Sequence, residues 1–173
     1  MYKKGFTLIE LAVVLLVIGI LAAVILRNIG TQGIQARDAR RVGDLRNVSV
    51  YVAQYLAKFG SFPTSTSWSE LETVLSKSQI ASTPLPNDPS GPPRTYTYKA
   101  CSDTGNAPNA GSNPGLANHF VLGATLEQSQ ASNPRIYDGS GTVPGNWQCG
   151  DGAGANEGRP SCDVANKEYC IVN

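Results

Sequence analysis

One charged side chain, Glu10, sits in a run, residues 6–26, that is otherwise almost wholly aliphatic. An acid inside an apolar helix costs several kcal/mol unless it is paired or reaches an interface. Its chemistry is therefore to seek a cation, with snorkelling to the headgroups, about one turn away, as the plainer alternative. Four cysteines, Cys101, Cys149, Cys162 and Cys170, all fall in the polar C-terminal part, the even count of a disulfide set formed outside the cytosol. No CxxC or CxxCH occurs and His119 is the single histidine, so zinc is the weaker reading. His119 has no spaced partner that would make it a base. The chain also lacks GxSxG, P-loop and GxGxxG patterns, and the Gly-rich stretch at 150–158 lacks the lysine of a phosphate cradle. No catalytic residue, metal site or cofactor is expected.

These groups must be positioned by two very different parts of the chain. At 173 residues it holds one head domain plus an appendage. Fourteen basic and thirteen acidic residues leave a net charge of +1, too little to gather nucleic acid or an anionic membrane surface. Residues 6–26 are long enough to span the roughly 30 Å hydrocarbon layer at about 1.5 Å per residue. Ala22 and Ala23 make a poor processing site, so this segment is expected to be retained. All eleven prolines lie at or beyond Pro63. Val42, Leu45, Val48, Val52, Tyr55, Leu56 and Phe59 recur at spacings of three and four, which predicts that helix continues as an amphipathic segment to about residue 58. Such a helix is roughly 80 Å long. Gly19, Gly30, Gly33 and Gly43 weaken it by about 1 kcal/mol each relative to alanine. Arg37, Arg40, Arg41 and Arg46 interleave with Asp38 and Asp44, including the helix-spaced pair Arg40 and Asp44. A solvated face or subunit-to-subunit ion pairs is expected there rather than a nucleic-acid contact. The Asn47-Val48-Ser49 acceptor pattern lies inside this helix and reads as chance.

The chain opens MYKKGFTLIEL: a short basic leader, a glycine, then Phe-Thr-Leu-Ile-Glu-Leu running into the aliphatic helix. This resembles the class III signal of type IV pilins and type II secretion pseudopilins. The resemblance implies cleavage by a prepilin peptidase on the cytoplasmic side between Gly5 and Phe6, with N-methylation of Phe6. It further implies an inner-membrane assembly platform with its ATPase as partners, and a homo-oligomeric helical filament as product. Cleavage leaves a positive amine on Phe6, which in a helical bundle can approach Glu10 of a neighbouring subunit and cancel two unfavourable buried charges. Removing one partner of a buried pair typically costs about 3–5 kcal/mol, so the pair would favour correct axial register.

Lys3 and Lys4 place the N-terminus in the cytoplasm, while Arg27, Arg37, Arg40 and Arg41 argue the opposite orientation. We choose the N-in orientation, because long domains translocate largely regardless of charge, the cysteines want an oxidising compartment and the leader must meet a cytoplasmic-side protease. The expected location is thus the inner membrane in a single pass, then a filament on the cell surface. Subunits of the family commonly have an unwound stretch near a proline in the projecting helix; here Gly19 or the 30–33 region would have to serve.

Beyond the helix, Gly60 to Pro63 reads as a stop. Ser67 and Glu70 form a capping box before Trp68, Leu71, Val74 and Leu75, which predicts a short amphipathic helix to about Ser78. Leu85-Pro86-Asn87-Asp88-Pro89 and Tyr96-Thr97-Tyr98 resemble elements that follow the long helix in major pseudopilins, with Phe62 in place of the usual Tyr and Ser90 in place of an aromatic. Strands are expected near 96–98, at 120–126 and at 168–172. The fold class is α+β: a pilin-like lollipop with leader 1–5, polymerisation helix 6–26, amphipathic helix 27–59 and a head at 60–173. A small antiparallel sheet lies across the helix, and long loops at 102–118 and 128–160 are tied by disulfides. Four cysteines allow three connectivities; we favour Cys149 with Cys162 and Cys101 with Cys170, and Cys162 with Cys170 is the close rival. Pseudopilins often bind calcium after the sheet, where Asp138, Asp151, Glu157 and Asp163 lie, but no DxDxDG spacing appears and these read as solvated acids. A filament subunit is the leading reading and a major pseudopilin of a type II secretion system the alternative. An enzyme on an ordinary signal anchor is the third, and it would keep residues 1–5.

Overall fold

The computed structural model describes residues 5–26, 29–65, 67–82, 84–103, 117–150 and 162–173. Met1, Lys3, Lys4, Arg27, Asp151 and Glu157 lie outside the described residues, as does most of the loop at 102–118. The chain divides into two compact units, one ending at Ala36 and the other running from Arg37 to Asn173. Its elements are α1 (Leu8–Leu26), α2 (Ile29–Phe59), α3 (Trp68–Lys77), β1 (Thr97–Ser102), β2 (His119–Thr125), β3 (Gln148–Cys149) and β4 (Glu168–Val172), with two short 3-10 turns at Pro134–Tyr137 and Val164–Asn166.

In the first unit, α1 is a 19-residue helix that runs straight through Gly19. Leu8, Leu11, Val14, Leu16, Ile18 and Leu21 are all exposed, so its apolar surface covers every side of the helix rather than one stripe. Among the described residues no helix is long and apolar enough to cross a membrane. Helix α2 includes Gly30, Gly33 and Gly43. Each glycine carries a local cost of about 1 kcal/mol, and both Gly19 and residues 30–33, the places where an unwound stretch would have to lie, are helical.

The second unit is the α+β head. Val42, Leu45, Val48 and Val52 of α2 are buried, as the three-and-four spacing requires, while Tyr55 and Leu56 are partly covered and Phe59 is exposed at the helix end. Helix α3 starts where the capping box places it: Ser67 Oγ accepts from the Glu70 N–H at 3.3 Å, and Leu71 and Leu75 are fully buried. Burying each such leucine contributes about 1.5–3 kcal/mol.

The sheet has four strands rather than three, in the order β3-β1-β2-β4, with every pairing antiparallel. Tyr96, Tyr98, Ala100, Phe120, Leu122 and Tyr169 join the helix-side core. Cys101, Val121, Val143, Trp147 and Cys149 form a second cluster with Cys162 and Cys170. Central strand β2 is therefore buried on both faces, which is why FVLGAT reads as a continuous apolar run. Gly123 is required there, since a Cβ would lie 2.6 Å from Thr97 Oγ1 on the neighbouring strand. The phenols of the Tyr-Thr-Tyr element keep their polar ends bonded while the rings fill the core: Tyr98 Oη donates to Pro63 O at 2.7 Å and Tyr96 Oη to Asp44 Oδ2 at 2.8 Å.

The favoured disulfide pairing is overturned. Cys101 is bonded to Cys149 and Cys162 to Cys170. Strand β2 lies between Cys101 on β1 and Cys170 on β4. Two strand spacings are roughly 9–10 Å, more than a disulfide can bridge. Cys149 instead stands directly opposite Cys101 in the β1–β3 register.

Candidate functional site

At the start of α1 the sequence folds into a reciprocal cap. Thr7 precedes the first helical residue, and its backbone N–H and Oγ1 donate to Glu10 Oε2 at 2.8 and 2.7 Å. The Glu10 N–H in turn donates to Thr7 Oγ1 at 3.4 Å. This is the threonine-to-glutamate capping box, in which two otherwise unpaired donors of the first turn are satisfied at once. Sequence reasoning gave Glu10 a neighbour's amine or the headgroups and missed Thr7, although the T-x-x-E spacing was the signal. Phe6 stands immediately before the cap and is 90 % exposed, and Gly5 has no heavy atom within 4 Å of where a Cβ would sit. The peptide between Gly5 and Phe6 thus lies on open chain, next to a helix whose first acid is held at the N-terminal end.

A second charged constellation lies at the start of the head, and here the expected solvated basic face is corrected. Arg41 is fully buried. Its guanidinium donates to Asp88 Oδ2 and Oδ1 at 2.7 and 2.9 Å, to Asp38 Oδ1 at 2.6 Å, to Glu127 Oε1 at 2.9 Å and to Ser90 Oγ at 2.6 Å. Arg37 grips Glu127 through two bonds of 2.8 and 2.6 Å. Asp38 also accepts from the backbone N–H groups of Glu127 and Gln128, both at 2.9 Å. One side chain of α2 therefore ties down the Leu85–Pro89 element and the end of β2 together. Burial is tolerated because the ions are paired and hydrogen-bonded.

The electrostatics follow from this geometry. Hydrogen bonding by Arg37, then Arg41, holds the Glu127 carboxyl down at about 2 against the opposing effect of burial. Burial alone would raise Asp88, but bonds from Arg41 and the Ser90 N–H outweigh it and leave the group lowered. Asp88 raises Arg41 further into the charged range, with burial opposing. The expected pair of Arg40 with Asp44 is present at a loose 3.8 Å, and Arg46 donates to the Asp138 carbonyl at 3.4 Å.

The remaining singled-out residues do not converge. His119 stacks on Trp147 with ring centroids 3.9 Å apart, and its Nε2 lies 3.6 Å from Asp103 Oδ2. Asp163 accepts from the Ala165 N–H at 2.8 Å and so caps the second 3-10 turn. Among the described residues no group of three or more His, Cys, Asp or Glu side chains could hold a metal ion.

Residues 1–26 match the family model of the prokaryotic N-terminal methylation motif. No curated protein and no solved structure matches the chain.

Proposed function

We propose that the chain is the precursor of a structural filament subunit of the type IV pilin kind, cut between Gly5 and Phe6 by a prepilin peptidase, methylated on Phe6 and polymerised through its N-terminal helix. The observation that supports this most directly is the methylation motif over residues 1–26, which joins an exposed Gly5–Phe6 junction to a helix with apolar side chains on every side. A helix apolar all round needs cover on all faces. Lipid supplies it before assembly and the helices of other subunits afterwards. On this reading residues 6–26 cross the inner membrane once, with the N-terminus in the cytoplasm, before an assembly platform and its ATPase move the subunit into a filament at the cell surface. The passage draws on the 21-residue apolar run of the sequence.

Glu10 then has two successive partners. Before assembly the Thr7 cap satisfies part of its bonding capacity; within the polymer the methylated amine of a neighbour's Phe6 neutralises its charge. The subunit performs no catalysis on this reading. The runner-up, a major pseudopilin of a type II secretion system, draws on the Leu85–Pro89 and Tyr96–Tyr98 elements. Imaging separates the two: long external filaments favour the pilus, short periplasmic ones the secretion machine. Intact-mass measurement of the protein from its native membrane tests both, since each requires loss of residues 1–5 and gain of one methyl group. A retained leader refutes both.

A further inference from the structure

Helix α1 begins at a definite residue. The Thr7 carbonyl accepts the first intrahelical bond, from the Leu11 N–H at 3.3 Å, and the Thr7 hydroxyl accepts from the Glu10 N–H at 3.4 Å. Thr7 is therefore the N-cap, and its own N–H and hydroxyl are held by Glu10 at 2.8 and 2.7 Å. Gly5 and Phe6 stay outside the helix: they lie in neither helix nor strand, Phe6 is 90 % exposed, and a Cβ on Gly5 would meet no heavy atom within 4 Å. Residue type alone does not force this start. Glycine is about as good an N-cap as threonine, and phenylalanine is tolerated in a first turn. A helix begun two residues earlier, with Gly5 as its cap, is the natural competitor. In that helix the Gly5 carbonyl would accept from the Ile9 N–H.

We propose that Thr7 is a positioning residue for leader removal: its cap fixes the helix start beyond the Gly5–Phe6 peptide and keeps that bond extended and open to the prepilin peptidase. The inference rests on the processing reading above. Hydrolysis adds water across this peptide bond, leaving a carboxylate on Gly5 and an ammonium on Phe6. The carbonyl carbon attacked belongs to Gly5, the group that an earlier start would tie into the first turn. On the same reading α1 enters lipid just beyond Thr7, and a helix entering lipid is pressed to satisfy its first N–H groups. The Thr7 hydroxyl does so for Glu10 without drawing in the carbonyls of Gly5 and Phe6. When a chain exchanges rapidly between closed and open forms, its cleavage tracks the population of the open form. A side-chain cap shifts such a population by about fivefold.

The test incubates the full-length precursor, in zwitterionic micelles, with purified prepilin peptidase and follows loss of residues 1–5 by intact mass. Thr7→Val keeps the shape and deletes the capping oxygen, whereas Thr7→Ser and Thr7→Asn keep a capping oxygen and change the shape. The Val variant is expected to be cut about fivefold less efficiently, through a higher KM at unchanged kcat, because less of the substrate is in the competent form. The Ser and Asn variants are expected to be cut like the parent. Carbon-13 shifts of Gly5 in the same micelles are expected to move toward helical values in the Val variant alone. A Val variant cut as readily as the parent, an Asn variant cut as poorly as Val, or Gly5 extended in every variant would each overturn the proposal. A peptidase that reads the Thr7 side chain directly, by shape or hydroxyl, rejects Asn. A parent precursor that is never cut overturns the processing reading and this inference with it, while a parent cut alongside an indifferent Val variant overturns the inference alone.

Discussion

Arg41 holds Asp88 side-on, Nε to Oδ2 at 2.7 Å and Nη2 to Oδ1 at 2.9 Å, across a sequence separation of 47 residues. Two parallel charge-assisted bonds of this kind fix orientation as well as distance. The same guanidinium also bonds Asp38 and Glu127, so it gathers three carboxylates from three places in the chain.

Replacing Arg41 by Met leaves Asp38 and Asp88 buried without their cation, while Glu127 keeps Arg37, and is expected to destabilise the head by about 3–5 kcal/mol. Arg41→Lys keeps the charge but loses the planar fork, and is expected to fall between the Met variant and the parent. Denaturant midpoints of the full chain in micelles provide the check. A Met variant as stable as the parent would show that the network contributes nothing net.

Acid is expected to loosen this network in a defined window. The Glu127 carboxyl is lowered from an ordinary 4.5 to about 2, so its stabilisation is complete above about 4.5 and is lost as pH falls toward 2; Asp88, also lowered, acts in the same sense. Arg37→Gln removes the leading cause of the Glu127 shift, so the loss should still begin near 4.5 but be smaller and be complete at higher pH. Thermal midpoints of parent and variant measured from pH 2 to 6 decide this, and coincident curves count against the assignment.

Glu10→Gln separates the helix-capping bond of that side chain from the charge pairing proposed for it. The amide can still accept from Thr7 and preserve the helix start, but it carries no charge for a neighbour's amine. Processing at Gly5 is expected to continue while filament yield falls by about tenfold or more, the order expected when one partner of a buried ion pair is neutralised. Quantifying cleaved subunit and sheared filament on one blot tests the pair, and normal yield would remove the charge role.

The two disulfides should contribute unequally. In the chain-entropy view the sequence separations of 48 for Cys101–Cys149 and 8 for Cys162–Cys170 correspond to about 4 and about 2.5 kcal/mol. Replacing both members of each pair by serine and comparing midpoints gives the ordering, and non-reducing peptide mapping gives the pairing itself. A cross-linked Cys149–Cys162 peptide would contradict the structure directly.

What could be read from the sequence was whatever is decided over one or two turns of chain. Ser67 and Glu70 start α3 because a capping box needs only four residues, and Val42, Leu45, Val48 and Val52 mark the buried face of α2 by spacing alone. The burial of Arg41 could not be read in this way, since its decisive partners stand at Asp88 and Glu127 and local spacing made it one more arginine on a mixed-charge face. Strand β3 is two residues long, too short for alternation to register. Without it, Cys149 had no visible place opposite Cys101, and the wrong pairing followed. Thr7 was legible as well, since its cap with Glu10 closes within four residues.

The converging bonds on Arg41 also bear on how the head withstands traction. Asp88 belongs to the segment that leads into β1 and Glu127 follows directly on β2, the two central strands of the sheet. A pull applied along α2 reaches the head at Arg37 and Arg41, where the load divides between both inner strands instead of peeling an edge strand away one bond at a time.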